Sequence, residues 1–307
     1  MLTYLLKNFV VLDKMRNFVC IYLFLHNLMM QAMIFAAGLG TRLKPLTDTM
    51  PKALVKVGGE PLIEHVVRRL ADAGFKRIVV NVHHFSSQII DFLREKENFG
   101  LDIIISDESD RLLDTGGGIK KAAPLFDHEY PILIHNVDIF SNVDLHQFYE
   151  ASQNRESIDK SCIKDKVSET AVSETALSSV LDCLPIDAVL LVSQRKTKRY
   201  LLFDNDMTLV GWNNVETGEV RSPYGEIDSR KYQMYAFAGI HVISPRLVNV
   251  MDEFPDKFGI IDFYLKTCAT HRIVGFVKND LSLMDIGKLD TLSQAEAFLK
   301  SLNDHKI

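Results

Sequence analysis

From residue 33 onward, short apolar runs alternate with stretches whose apolar residues fall on one helical face. Met33 to Ala37 is wholly apolar and stops at Gly38 and Gly40, which predicts a strand buried on both faces feeding a loop. Leu62 to Ala73 places Leu62, Ile63, Val66, Val67 and Leu70 on one face and closes at Gly74, a helical pattern. Arg77 to Val82 predicts a second strand, Ser86 stands where it caps a helix burying Ile89, Ile90 and Leu93, and Leu101 to Ile105 predicts a third. Pro131 to Ile134 adds a fourth. Such alternation builds a mostly parallel, Rossmann-like α/β sheet with flanking helices and right-handed crossovers. Ligands in such sheets sit beyond the carboxyl ends of the strands.

The second half has a different rhythm. Ala188 to Ser193 reads as a strand, and Leu201 to Phe203, Thr208 to Trp212 and Glu219 to Arg221 alternate around hairpin turns at 204–206 and 216–218. Tyr235 to Ile243 is a longer strand, and Lys288 to Leu302 a final helix. This half is expected to be β-rich. Residues 154–182 are polar and repeat Val-Ser-Glu-Thr-Ala at 167–171 and 172–176, which reads as an insertion without chemistry. Residues 1–29 hold an apolar run, Phe18 to Leu28, behind Lys14 and Arg16. That run is too short to span a bilayer and lacks a small-x-small cleavage site. We expect an extension outside a fold that occupies residues 30–307.

Composition narrows the class. With 47% hydrophobic and 24% charged residues the chain can bury a full core, and a net charge of -5 argues against a general nucleic-acid binder. The four cysteines lie far apart, with no C-x-x-C pair, so neither a disulfide framework nor a structural zinc is indicated. A cytoplasmic protein is expected, with no nucleic-acid or membrane partner and self-association left open.

The chemistry starts at the first loop. Gly38 and Gly40 leave backbone amides uncovered, Thr41 adds a hydroxyl, and Arg42 and Lys52 bring two cations that suit a polyphosphate. A Walker loop would need Gly-Lys-Ser/Thr where Gly40 is followed by Thr-Arg-Leu, and a dinucleotide fingerprint a third glycine where Leu43 stands. Further on, Asp114-Thr-Gly-Gly-Gly-Ile119 offers a bare backbone for a flat base. Asp138, just beyond the fourth strand, is placed to hold a divalent cation. His83 and His84 leave their strand on opposite sides and read as loop residues, one of them, like Gln88, a candidate for touching a base.

The run Ala36-Ala-Gly-Leu-Gly-Thr-Arg42 with Pro51-Lys52 behind it resembles the signature of the sugar-1-phosphate nucleotidyltransferases, the NDP-sugar pyrophosphorylases. The Thr-Gly-Gly-Gly-Ile stretch is most similar to the N-acetylmuramate-1-phosphate uridylyltransferases of cell-wall recycling. The resemblance implies a nucleotidyltransferase fold of the GT-A-like kind, with nucleoside triphosphate and sugar-1-phosphate as substrates and Mg2+ as cofactor. It implies that Ala36, Ala37, Gly38, Gly40, Thr41, Arg42, Lys52, Gly116 and Gly117 hold the nucleotide, and that Arg42, Lys52 and Asp138 carry catalysis. Asp138 and Asp285, the latter in an Asp-x-Gly element, would hold the metal. Asn136, Phe237 and Gly239 would line the sugar site. Val137 departs from the family's Asn-Gly-Asp, which puts the local backbone in question.

Three other readings compete. A GT-A glycosyltransferase would carry an Asp-x-Asp pair where His135-Asn-Val-Asp138 has a single acid. A non-catalytic regulatory homologue would have lost the cations or carboxylates. A mannose-1-phosphate guanylyltransferase would share every feature except the glycine triplet.

Overall fold

A computed structural model of the chain describes residues 30–153 and 185–304; the N-terminal extension and the polar insertion lie outside the described residues. In chain order, β1 (Gln31–Phe35) leads through one-turn 3-10 segments to a small hairpin, β2 (Lys56–Val57) and β3 (Glu60–Pro61). There follow α1 (Leu62–Asp72), β4 (Arg77–Val82), α2 (Ser86–Glu95), β5 (Asp102–Asp107) and α3 (Asp114–Ala122). Next come β6 (Ile132–Asn136), β7 (Ile139–Ser141) and α4 (Leu145–Ala151). The second half begins with β8 (Ile186–Ser193), β9 (Arg199–Phe203), β10 (Leu209–Asn214), β11 (Val220–Arg221) and β12 (Gln233–Ile243). It ends with α5 (Pro245–Val250), α6 (Ile260–Thr267), β13 (Arg272–Val277), β14 (Leu283–Asp285) and α7 (Leu289–Asp304).

A ten-stranded sheet runs β11-β10-β9-β12-β6-β1-β4-β5, with β8 pairing β12 and β13. β6, β1, β4 and β5 are mutually parallel. β12 lies antiparallel to both β6 and β8, and β13 is parallel to β8. It follows that β1, β4, β5, β6, β8 and β13 all point the same way, and their carboxyl ends open on one edge of the sheet. That edge positions everything below. The expected α/β architecture with a β-rich second half is what the chain forms.

Each face of the sheet has its own core, as a strand period of two requires. Ile34, Leu133 and Ile240 face α1 and α2 through Leu62, Val66, Leu70, Ile89 and Leu93. On the other side Met33, Ile134 and Leu190 meet Ile119 of α3 and Phe263 and Tyr264 of α6. Burying each such large apolar side chain contributes roughly 1.5–3 kcal/mol. Among the described residues no helix is long and apolar enough to cross a membrane.

Two local expectations are corrected. Ser86 does not cap α2: Phe85 holds the N-cap position at φ 54 with no side-chain cap, while the Ser86 Oγ accepts a hydrogen bond from the Ser109 Oγ at 3.1 Å. The glycine triplet is not a bare loop either. It forms the first turns of α3, with the chain at 256–258 laid on it: the Gly116 and Gly117 N–H groups donate to the Phe258 carbonyl at 2.9 and 3.1 Å. A Cβ on Gly117 would stand 2.1 Å from the Asp256 carbonyl oxygen, and one on Gly116 2.3 Å from the Phe258 ring. These glycines exist to let protein backbone approach, so Gly116 and Gly117 offer no free surface to a nucleotide. Gly117→Ala is therefore expected to destabilise the chain by about 1–3 kcal/mol, the scale of an overpacking clash, read as a lower urea midpoint; an unchanged midpoint would refute the packing role.

Candidate active site

The loop after β1 owes its shape to one buried amide side chain. Asn81, next to last in β4 behind Ile78, Val79 and Val80, accepts the N–H groups of Ala36 and Ala37 on its Oδ1 at 2.8 and 3.3 Å. Its Nδ2 donates to Glu108 Oε1 at 2.8 Å, and Glu108 Oε2 accepts the Leu113 N–H at 3.1 Å. Both side chains are buried. The amides of Ala36 and Ala37 are thus already satisfied by the protein itself.

Gly38 is exposed, with open space where a Cβ would be. Gly40 adopts φ 64, and a Cβ there would stand 2.8 Å from Thr47 Cγ2 and 3.1 Å from Lys52 Cβ, so only glycine closes this turn without strain. Its carbonyl accepts the Leu43 N–H and the Thr47 hydroxyl, both at 2.8 Å. Thr41 and Arg42 stand exposed on the single 3-10 turn that follows. Extended Pro51 then returns the chain so that Lys52 points inward, 8% exposed.

Lys52 Nζ forms an ion pair with Asp138 Oδ2. Asp285 is brought to the same place by a two-stranded ladder. β14 runs antiparallel to β7 with Asp285 opposite Ile139, and the Ile286 N–H donates to the Asp138 carbonyl at 2.9 Å. Gly287 marks where Asp285 and Arg42 meet, since a Cβ on it would stand 2.8 Å from Asp285 Oδ1 and 2.9 Å from Arg42 Nη2. Four groups from distant parts of the sequence converge at the carboxyl edge of the sheet.

Burial raises the Asp285 carboxyl above its ordinary pKa, and neighbouring Asp138 raises it further, while Lys52, Arg42 and Arg195 pull it down. Asp285 Oδ1 is buried with no hydrogen-bond partner. A partnerless carboxylate oxygen beside a second carboxylate is short of positive charge, and this donor set suits a hard divalent cation that takes its remaining ligands from phosphate and water. Among the described residues no group of three or more His, Cys, Asp or Glu forms a closed metal cage.

Asn136, at the tip of β6, lies against Gly239, whose φ is 78 and whose added Cβ would stand 2.7 Å from Asn136 Nδ2. The β12–β8 register shifts between Phe237 and His241, so the strand bulges around this contact. Asn136, Phe237 and Gly239 therefore lie together beside Asp138. His135, in the same motif, is pushed down to about 3 by burial and stays neutral. His83 Nδ1 sits 2.7 Å from the Glu108 carbonyl, His84 stacks on Phe85 at 3.9 Å, and Gln88 donates to the Thr49 carbonyl at 3.0 Å. None of these three reaches the acidic pair.

Sequence reasoning passed over Asn81, Glu108 and Arg195. The only signal for Asn81 is its polarity inside Ile-Val-Val-Asn-Val, and for Arg195 its place two residues beyond an apolar strand.

Residues 31–171, which include Arg42, Lys52 and Asp138, match the family described as nucleotidyl transferase. Two bacterial relatives are N-acetylmuramate alpha-1-phosphate uridylyltransferases. The one from Caulobacter vibrioides is 50% identical over 109 residues, 35% of this chain and 45% of that protein. The one from Neisseria meningitidis is 41% identical over 125 residues, 41% of this chain and 54% of that protein. The chain thus spans about half the length of these curated relatives. In three dimensions it is similar to HddC from Yersinia pseudotuberculosis, solved with GMP-PN, at a TM-score of 0.63 and 22% identity over 88% of this chain and all of that one. That likeness is one of fold.

The raised pKa of Asp285 sets a stability test. Its folded-state pKa exceeds the unfolded value, so stability declines as pH rises from the unfolded pKa through the folded one, and at neutral pH the charge is a burden. Asp285→Asn is expected to raise the melting temperature in EDTA and to abolish any rise on adding Mg2+. A lower melting temperature in EDTA would contradict this account.

Proposed function

We propose that this chain is a sugar-1-phosphate nucleotidyltransferase that joins UTP to N-acetylmuramate 1-phosphate, forming the UDP-sugar and pyrophosphate. The observation that carries the reading is the convergence of Arg42, Lys52, Asp138 and Asp285 at the carboxyl edge of the sheet. A phosphate oxygen of the sugar-1-phosphate attacks the α-phosphorus. The bond from that phosphorus to the bridging oxygen of the β-phosphate breaks, and pyrophosphate leaves with the electron pair. The nucleophile is already an anion, so no proton must move and no general base is needed; the neutral, buried state of His135 fits this. What the site must supply is alignment of two mutually repelling phosphates and neutralisation of their charge.

Arg42, exposed beside Thr41 and the open amide of Gly38, is placed to hold the triphosphate, with Lys52 beneath the phosphate being transferred. Asp138 and Asp285 would hold Mg2+, which when bound supplies positive charge at the α-phosphate. Asn136 and Gly239 would orient the sugar-phosphate. The choice of uridine and N-acetylmuramate rests on the two bacterial relatives. With those substrates the reaction belongs to the cytoplasmic recycling of peptidoglycan.

Pyrophosphate release should be measured with UTP, GTP, dTTP and CTP against several sugar-1-phosphates in the presence of Mg2+, and UTP with N-acetylmuramate 1-phosphate is expected to be fastest. GTP with mannose 1-phosphate as the best pair would replace the specificity, and no release with any pair would leave a binding protein. Arg42→Ala and Lys52→Ala are each expected to lower turnover about 100-fold or more, as loss of a transition-state donor does, and Asp138→Ala to remove Mg2+-dependent turnover while the far-ultraviolet spectrum stays unchanged.

A further inference from the structure

The cations of the proposed reaction fall on one side of the acidic pair in the order of the sheet. Arg42 follows β1, and Asp138 follows its neighbour β6. Beyond β6 come β12 and then β8, and β8 points the same way as β6 because both run antiparallel to β12. The residues after β8 therefore emerge on the same ligand edge, across β12 from the nucleotide loop. Arg195 stands there, exposed, and its Nη2 donates to the Phe237 carbonyl at 3.0 Å. Phe237 is the last paired residue before the β12 bulge that sets Gly239 against Asn136. One hydrogen bond thus anchors the guanidinium over the predicted sugar-lining strand, and among the described residues its other donors make no further hydrogen bond.

We propose that Arg195 binds the phosphate of the incoming sugar-1-phosphate, as the acceptor-side counterpart of Arg42. This rests on the nucleotidyltransferase reading and adds to it the residue that recognises the second substrate. Two anions must be brought together in such a reaction, and Arg42 and Lys52 lie with the triphosphate. The acceptor phosphate needs its own positive partner, approaching from the β12 side so that its oxygen faces the α-phosphorus. A guanidinium with one N–H committed to a carbonyl and its fork otherwise available suits a phosphate geometrically. Lys198, in the same loop, is engaged with Glu216 at 2.7 Å and faces the β9–β10 side instead.

The test is steady-state kinetics of the full chain with Mg2+, comparing wild type with Arg195→Ala and Arg195→Lys and varying UTP and sugar-1-phosphate separately. Arg195→Ala is expected to raise KM for the sugar-1-phosphate about 10- to 100-fold, the scale of losing charge-assisted hydrogen bonds, with KM for UTP within about two-fold and the melting temperature unchanged. Arg195→Lys should restore part of the loss, since it keeps the charge and gives up the fork. Equal rises in both KM values would instead mean that Arg195 only supports the β12 bulge, and no change in either would remove it from the site.

N-acetylglucosamine 1-phosphate, used as substrate or as competitive inhibitor, separates phosphate from carboxylate. It lacks the lactyl group, so a matching loss supports the phosphate assignment, while a loss confined to N-acetylmuramate 1-phosphate transfers Arg195 to the lactyl carboxylate and overturns it. A wild-type chain that releases no pyrophosphate removes the underlying reading, whereas an active wild type with an unaltered Arg195→Ala variant removes only the role of Arg195.

Discussion

Two carboxylates held next to one another, brought by different strands to the same end of a short two-stranded ladder, are the constraint around which this molecule is built. Asp138 and Asp285 repel, and burial of Asp285 makes the repulsion harder to relieve by solvent. Lys52 answers one of them directly, and Arg42 approaches the other across Gly287. The balance is incomplete, because among the described residues one oxygen of Asp285 has no hydrogen-bond partner.

The scaffold that makes this affordable is almost wholly apolar. Six strands point the same way and end on one edge, so loops from β1, β6 and β8 meet there without any long excursion of the chain. Two of the polar groups inside the sheet are paired with each other. Asn81 and Glu108 form a short buried relay that ties the two alanine amides after β1 to Leu113 at the start of α3. A buried network of this kind is costly if any member lacks a partner, and here it fixes the conformation of the phosphate loop from behind.

Most of the first half was legible in the sequence because its signals are local. Met33 to Ala37 gave a buried strand, the period of Leu62, Val66 and Leu70 gave α1, and Gly38 and Gly40 marked the loop that follows β1. Contacts made across long stretches of chain were not legible. The glycine triplet looked like open backbone only because nothing in its own sequence reveals the segment 256–258 that covers it. β7, β13 and β14 were missed, the first and last being three residues long, below the length at which periodicity speaks. Asp285 was placed correctly in the chain, but the ladder that carries it to Asp138 is visible only in three dimensions.

That ladder also fixes an order of events in the life of the molecule. β7 and β14 are separated by nearly half of the sequence, and the β14 half supplies both Asp285 and the Ile286 amide that clasps the Asp138 carbonyl. A nascent chain that has left the ribosome only as far as α6 already owns the glycine loop and both of its cations, yet it has a single carboxylate and nothing to set it against. The acidic pair comes into being only when β14 docks against β7.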